Sequence, residues 1–383
     1  MSRVAAPRAG GSESRVGPRA SAWVEGQWER AHYVAPAAGS YPSLALDYGL
    51  YIPQTETHTA RPLVVMLHGC TQSGDAFARG TRMNVLADRY GFAVLYPEQA
   101  AKRHPQVCWH WYDASAAAGG AEAHAIVALV DNLVEQHGFD AGRVYVAGLS
   151  AGAGMAAMLA FDYPERFAAV ATHSGVVFGA ARSVPSALDV MRRGATQEPA
   201  ELARVALAAH GATKAAEGSG ALAAMVAQGV SHAVAGQNIL AALTGRGRFA
   251  EAAHSAPGHP GIPALLLHGA RDEVVNPINL EQLEAQFLVL NGLLDTEGTL
   301  VDVTLEASEH NGYRQRIYRR DGRELVKICL VAELGHAWSG GDDTVPFHAG
   351  IGPDASLEIW NFFSQAPRRA MPVKPMLKAI NTV

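Results

Sequence analysis

An α/β architecture, a mainly parallel sheet with helices on both faces, is predicted by three observations. Short continuous apolar runs recur along the chain, helical stretches separate most of them, and each run breaks off at a glycine, proline or histidine. Runs of this kind suit strands buried on both faces, because a strand with one wet side would alternate apolar and polar residues.

The first run is Pro62 to Leu67, which ends at His68-Gly69. The second, Phe92 to Tyr96, follows a helical stretch from Met83 to Tyr90 and stops at Pro97. From Glu122 to Gln136, Ile126, Val127, Val130 and Leu133 recur at helical spacing and line one face, and Gly138 ends the helix. Arg143 to Ala147 is a third strand, followed by a turn at Ser150 and a helical stretch from Ala151 to Phe161. Ala168 to Thr172 and Ala264 to Leu267 supply two more strands. Asp302 to Leu330 alternates in the β manner about a turn at Arg320-Asp321-Gly322-Arg323, an antiparallel extension near the C-terminus that carries the loop at Gly335. A last helix, Asp354 to Phe363, is expected to pack on the sheet. Residues 180–260, rich in Ala, Gly and His with helical pieces such as Glu201 to Ala209, read as an inserted lid-like region. Residues 1–35, rich in Arg, Ala, Gly and Ser, read as a flexible leader, which leaves 36–383 as a single domain.

With 49% hydrophobic residues, 17% charged residues and 39 glycines in 383 positions, the composition is that of a globular protein with a sizeable core and many tight turns. A formal net charge of -5 gives no footprint for nucleic acid. No run of roughly 18 apolar residues suggests a transmembrane segment. The leader also lacks the apolar stretch of about 7 to 15 residues of a secretory signal, which points to the cytoplasm. Cys70, Cys108 and Cys329 have no metal-ligand spacing. Cys70 and Cys108 both fall in loops after predicted strands, so a disulfide between them and a pair of free thiols are both open.

The chemistry centres on Gly148-Leu149-Ser150-Ala151-Gly152. A serine hydroxyl is a poor nucleophile at neutral pH, and it needs a base, an orienter for that base, and donors for the oxyanion. Gly-x-Ser-x-Gly between a strand and a helix lifts the serine above the sheet at a sharp turn, the arrangement of the α/β-hydrolase fold. Ser150 is therefore the expected nucleophile, with the Ala151 N–H as one oxyanion donor. The loop after Leu67 supplies the other, for which the Cys70 N–H is the candidate. In this fold the acid and then the base follow the serine. Asp272, directly after the strand ending at Leu267, is the expected acid; Glu273, Asp302, Asp342 and Asp343 compete. His336, in the loop at Gly335, is the expected base, with His268, His310 and His348 as rivals. Trp109, Trp111, Tyr112 and Trp338 flank these segments and are expected to wall the substrate. The expected reaction is ester hydrolysis through an acyl-enzyme, without metal or cofactor. The same residues would suit peptide hydrolysis or acyl transfer, and a catalytically silent binding scaffold is the alternative of another class. Oligomeric state is left open.

Six segments extend the pattern: Leu67-His68-Gly69-Cys70-Thr71-Gln72, Cys108-Trp109-His110-Trp111-Tyr112, the Ser150 turn, His268-Gly269-Ala270-Arg271-Asp272, Gly335-His336-Ala337-Trp338-Ser339-Gly340-Gly341, and Gly352-Pro353-Asp354-Ala355-Ser356. On these the chain resembles esterases of the polyhydroxybutyrate depolymerase family, related to feruloyl and acetylxylan esterases. The resemblance implies a triad of Ser150, Asp272 and His336. It also implies a small-molecule or polymer ester as substrate, from hydroxyalkanoate polymers or plant-wall acids, and an extracellular location as the alternative to the cytoplasm.

Overall fold

Short continuous apolar runs, separated by helices, set the order of elements in the computed structural model, which describes residues 25–55, 59–115, 117–219 and 260–366. In chain order these are β1 (Gln27–Ala35), β2 (Leu44–Ile52), β3 (Leu63–Leu67), α1 (Gly74–Thr81), α2 (Met83–Tyr90), β4 (Ala93–Glu98), α3 (Gly119–His137), β5 (Val144–Leu149), α4 (Ala151–Asp162) and β6 (Ala169–His173). There follow α5 (Val184–Arg193), α6 (Pro199–Ser219), β7 (Ala264–Gly269), α7 (Ile278–Leu290), β8 (Thr304–His310), β9 (Tyr313–Arg320) and β10 (Arg323–Val331). Two short strands, β11 (Trp338–Ser339) and β12 (His348–Ala349), precede α8 (Ala355–Gln365).

The sheet has ten strands in the order β1-β2-β4-β3-β5-β6-β7-β10-β9-β8. Its centre, from β4 to β10, is parallel; β1 and β2 at one edge and β9 and β8 at the other pair antiparallel. The central strands are buried along their whole length and alternate between two cores. On β3, Leu63, Val65 and Leu67 meet α3, α4 and α7, whereas Val64 and Met66 face the layer of α1, α2 and α8. A fully buried Val, Leu or Phe contributes roughly 1.5–3 kcal/mol. These two layers therefore make the sheet a rigid platform for the loops at the strand ends.

One expectation changes. Gln27–Ala35, assigned to the leader, forms β1 and pairs with β2 from Gln27↔Ile52 to Ala35↔Leu44. The pairing is licensed by the alternation of Leu44, Leu46, Tyr48 and Leu50, all buried in one core, which gives an edge strand something to register against. The rest of the expected leader, residues 1–24, lies outside the described residues. Within 180–260, α5 and α6 are described and 220–259 are not. The antiparallel extension is present as β8, β9 and β10, and β10 also joins the parallel centre through β7.

Candidate active site

Ser150 caps α4 with φ 57° and ψ −119°, a conformation that L residues rarely adopt. Strain of this kind costs roughly 1–3 kcal/mol and persists only where the surroundings impose it. Here the Ser150 N–H donates to the His173 carbonyl at 3.0 Å, and its carbonyl accepts the first helical bond from Gly154 at 3.0 Å. A Cβ on Gly152 would stand 2.0 Å from the Leu67 oxygen and 2.6 Å from the His68 oxygen, so only glycine lets α4 approach the end of β3 this closely. That approach brings Ser150 against the loop carrying Cys70.

The Ala151 amide opens α4, where first-turn N–H groups have no intrahelical acceptor. Among the described residues neither it nor the Cys70 amide donates to a protein acceptor. The Cys70 loop is pinned from two sides. Its sulfur is bonded to Cys108, with Cα atoms 4.3 Å apart, and the Thr71 N–H donates to the Gln106 carbonyl at 2.7 Å. Cys329 is a free, buried thiol in β10.

Asp272 and His336 lie in adjacent loops stitched together by backbone bonds from Ala270 to Val331 and from Arg271 to Leu334. A Cβ on Gly269 would come within 2.2 Å of the Leu334 oxygen, so this close packing also needs glycine. The result is a hydrogen bond of 2.8 Å between His336 Nδ1 and Asp272 Oδ2. The other carboxylate oxygen accepts the amides of Val274 and Val275 at 2.9 and 2.8 Å. Burial by itself would raise the Asp272 pKa, but the bond and charge of His336 and the Val275 amide outweigh it and hold the carboxyl below its ordinary value. Asp272 is thus an ionised, oriented acceptor for an imidazole N–H. No hydrogen bond links the Ser150 hydroxyl to the His336 ring in this state, although both line one cavity.

That cavity, of about 290 Å³, has a polar side with Thr71, Gln72, His104 and Gln106 and an apolar side with Val184, Ala187, Leu188 and Met191 of α5. Trp111 and Tyr112 also line it. Trp109 and Trp338 do not. Both are fully buried: Trp109 belongs to the core on the α3 side, and Trp338 donates from Nε1 to Ser356 Oγ at 3.1 Å. Their apolar area is more stably spent in the core than on a pocket wall. The rival histidines are accounted for. His268 is buried with Nε2 2.8 Å from the Val275 carbonyl, His348 bonds the Pro346 carbonyl at 2.9 Å, and His310 stands on the exposed strand β8. The α5 wall went unnoticed in the sequence, although Val184, Ala187, Leu188 and Met191 share one helix face by spacing. Among the described residues no cluster of His, Cys, Asp or Glu is placed to hold a metal ion, and no helix is long and apolar enough to cross a membrane.

The parallel sheet, the Ser150 turn between β5 and α4, and the loops after β3, β7 and β10 define an α/β-hydrolase. The acetyl xylan esterase from Aspergillus awamori shares the fold, with a TM-score of 0.58 at 20% identity over 88% of this chain and 100% of that one. The model of the family "Esterase PHB depolymerase" matches residues 46–247 and 246–305, and the chain belongs to that family. Among its relatives, poly(3-hydroxyalkanoate) depolymerase C of Paucimonas lemoignei is 28% identical over 278 residues, 72% of this chain and 54% of that protein. The probable acetylxylan esterase A of Neosartorya fischeri is 34% identical over 161 residues, 42% of each chain. Feruloyl esterase B of Thermothelomyces thermophilus is 36% identical over 140 residues, 36% of this chain and 47% of its own. The matched regions thus span about half or less of these relatives' length.

Proposed function

We propose that the protein is a serine esterase in which Ser150 attacks the carbonyl of a carboxylic ester. The observation that carries this is the strained Ser150 turn opening on the same cavity as His336, whose Nδ1 is held by the ionised, amide-gripped Asp272. With Nδ1–H committed to Asp272, Nε2 is the free acceptor that takes the Ser150 proton. Asp272 stabilises the imidazolium, and the Cys70 and Ala151 amides receive the oxyanion. His336 then protonates the leaving alcohol, and water repeats the cycle on the acyl-enzyme. Each oxyanion donor is worth roughly 3 kcal/mol by precedent.

The substrate is an ester of a hydroxyalkanoate, as oligomer or polymer. Support comes from the poly(3-hydroxyalkanoate) depolymerase relative, matched over 278 residues, and from a cavity lined by apolar α5 side chains for the alkyl part and by Thr71, Gln72, His104 and Gln106 for further ester oxygens. The names of the shorter matches favour a second reading, esters of acetylated xylan or ferulate. We further read α5 as the near wall of a cover over the site, the elements from β1 to α8 as one catalytic unit, and the disulfide as fitting an oxidising compartment.

Hydrolysis of p-nitrophenyl butyrate by the wild type and its loss in Ser150→Ala tests the chemistry. A panel of 3-hydroxybutyrate oligomers, polymer film, acetylated xylan, methyl ferulate and a peptide set then tests the substrate. Turnover of the peptides alone would overturn the esterase reading.

A further inference from the structure

We propose that His104 is a specificity-determining residue whose Nε2–H donates to an uncharged substrate oxygen beyond the scissile ester. The site thereby prefers esters that carry a second ester group over plain alkyl esters and over esters that end in a free carboxylate. The inference rests on the esterase reading above and assigns recognition to one atom of one side chain.

His104 lies in the loop after β4 and lines the cavity that holds Ser150 and His336. Its Nδ1 is 3.2 Å from the backbone nitrogen of Gln106 and 3.3 Å from that of Cys108. A backbone N–H can only donate, so Nδ1 is an acceptor and the ring proton of the neutral imidazole sits on Nε2. Among the described residues Nε2 bonds to no protein group, and it is not sealed in the core, so its N–H is free to meet a ligand. Protonation would turn a further ring N–H toward the two amides. Burial and the neighbouring His110 accordingly hold the His104 pKa below its ordinary value, against the pull of Glu122.

The seat of this donor is tied to the reacting end of the site. The Gln106 carbonyl accepts the Thr71 N–H at 2.7 Å, and Cys108 is bonded to Cys70. Both residues that grip Nδ1 are therefore fastened to the loop that carries the Cys70 amide. Behind the ring, His110 meets it edge-on with centroids 5.3 Å apart, and His110 Nδ1 is itself 2.6 Å from Oε1 of buried Glu122. A donor held in fixed relation to the oxyanion amides can read a second substrate oxygen at a set distance from the first.

The charge of the cavity narrows the ligand. Of the described residues that line it, none is Asp, Glu, Lys or Arg. A carbonyl oxygen enters such a space at little cost once it accepts one hydrogen bond, whereas a carboxylate needs a counter-charge. His104 cannot supply that charge, because its Nδ1 faces two donors. A plain alkyl ester fails for the opposite reason. It covers the Nε2–H without pairing it, and a site built to bond a substrate oxygen discriminates against the analogue that lacks one.

The test uses matched esters. On the acyl side, p-nitrophenyl 3-acetoxybutyrate is compared with p-nitrophenyl butyrate through nitrophenol release. On the alcohol side, the butyrate ester of methyl 3-hydroxybutyrate is compared with sec-butyl butyrate and with its own free acid through butyrate release. The preference is the ratio of kcat/KM within a pair, and intrinsic reactivity cancels when a variant's preference is divided by that of the wild type. In His104→Asn, Oδ1 takes the place of Nδ1 and keeps the acceptor for both amides, but the NH₂ stops short of the Nε2 position. In His104→Gln the side chain reaches that position and gives up the acceptor.

His104→Asn is expected to melt close to the wild type and to lose about 5- to 50-fold of its preference in at least one pair, the worth of one hydrogen bond to a desolvated acceptor. His104→Gln should melt lower and keep most of the preference. The wild type should cleave the methyl ester at least about tenfold better than the free acid. A folded Asn variant with the wild-type preference in both pairs overturns the proposal. So do equal losses in the Asn and Gln variants, or equal turnover of the methyl ester and the free acid. If His104→Asn does not fold, His104→Ser replaces it, since a serine oxygen can accept the amide two residues on. Failure of the wild type to hydrolyse any of these esters, or full activity in Ser150→Ala, refutes the esterase reading instead.

Discussion

Replacing Asp272 by Asn tests the orienting role with little disturbance of packing. Asp272 Oδ1 accepts two backbone amides, from Val274 and Val275, so the asparagine oxygen must occupy that position, because an NH₂ there would face two donors. The NH₂ is then left opposite His336 Nδ1, where Oδ2 now sits at 2.8 Å. Facing a donor, Nδ1 gives up its proton and becomes an acceptor, and the proton moves to Nε2. A ring protonated on Nε2 cannot take the proton of Ser150. The same swap in another triad hydrolase lowers kcat about 10⁴-fold, equivalent to about 5.4 kcal/mol of barrier. Stability should fall by only about 1–2 kcal/mol, because both amides keep their acceptor. Initial rates on p-nitrophenyl butyrate near neutral pH, with a melting curve for each protein, separate the two effects. A loss of less than about tenfold in a folded variant would refute the reasoning, since the tautomer would then be set by something other than Asp272.

Three further outcomes are expected. Gly152→Ala forces a Cβ to within 2.0 Å of the Leu67 oxygen, and should cost about 3 kcal/mol and move the Cys70 loop, whereas Gly211→Ala, with nothing within 4 Å, should leave activity unchanged; equal melting temperatures for the two would count against the close-approach argument. Trp109→Ala and Trp111→Ala should each cost about 3–5 kcal/mol in urea unfolding, since both rings are buried, but only Trp111→Ala should also alter KM across esters of different size; a KM change with Trp109→Ala and none with Trp111→Ala would count against this placement. His68 and His173 are held neutral by burial, down to about 4 and about 3, yet both titrate near the ordinary imidazole value once unfolded. The unfolded chain therefore binds more protons below about pH 6.5, and stability present above that value falls as pH drops, by about 2 kcal/mol for each histidine at about pH 5. A urea midpoint that is the same near neutral pH and at about pH 5 would show that these histidines are not buried neutral.

The central strands and the Ser150 turn were legible because their signals are local. Leu63 to Leu67 and Ala264 to Leu267 are apolar without interruption, and glycines at 148 and 152 bracket the serine. β1 was not legible, because Gln27–Ala35 is largely exposed and owes its strand to pairing with β2. Two of the four aromatic residues, Trp109 and Trp338, were misjudged for a related reason. Trp109 and Trp111 are two positions apart and both buried, yet one ring enters the core on the α3 side and the other lines the cavity.

What the sequence alone determined is the α/β class, the parallel centre and the strand-to-helix turn at Ser150, because periodicity and glycine placement act over a few residues. Only the tertiary structure decided that Asp272 and His336, 64 positions apart, meet at 2.8 Å, that Cys70 bonds Cys108, and that His68 links Gln99 to Gly69. Those contacts join loops at the ends of different strands. Their geometry is set by how the whole sheet twists and packs, and no local pattern encodes it.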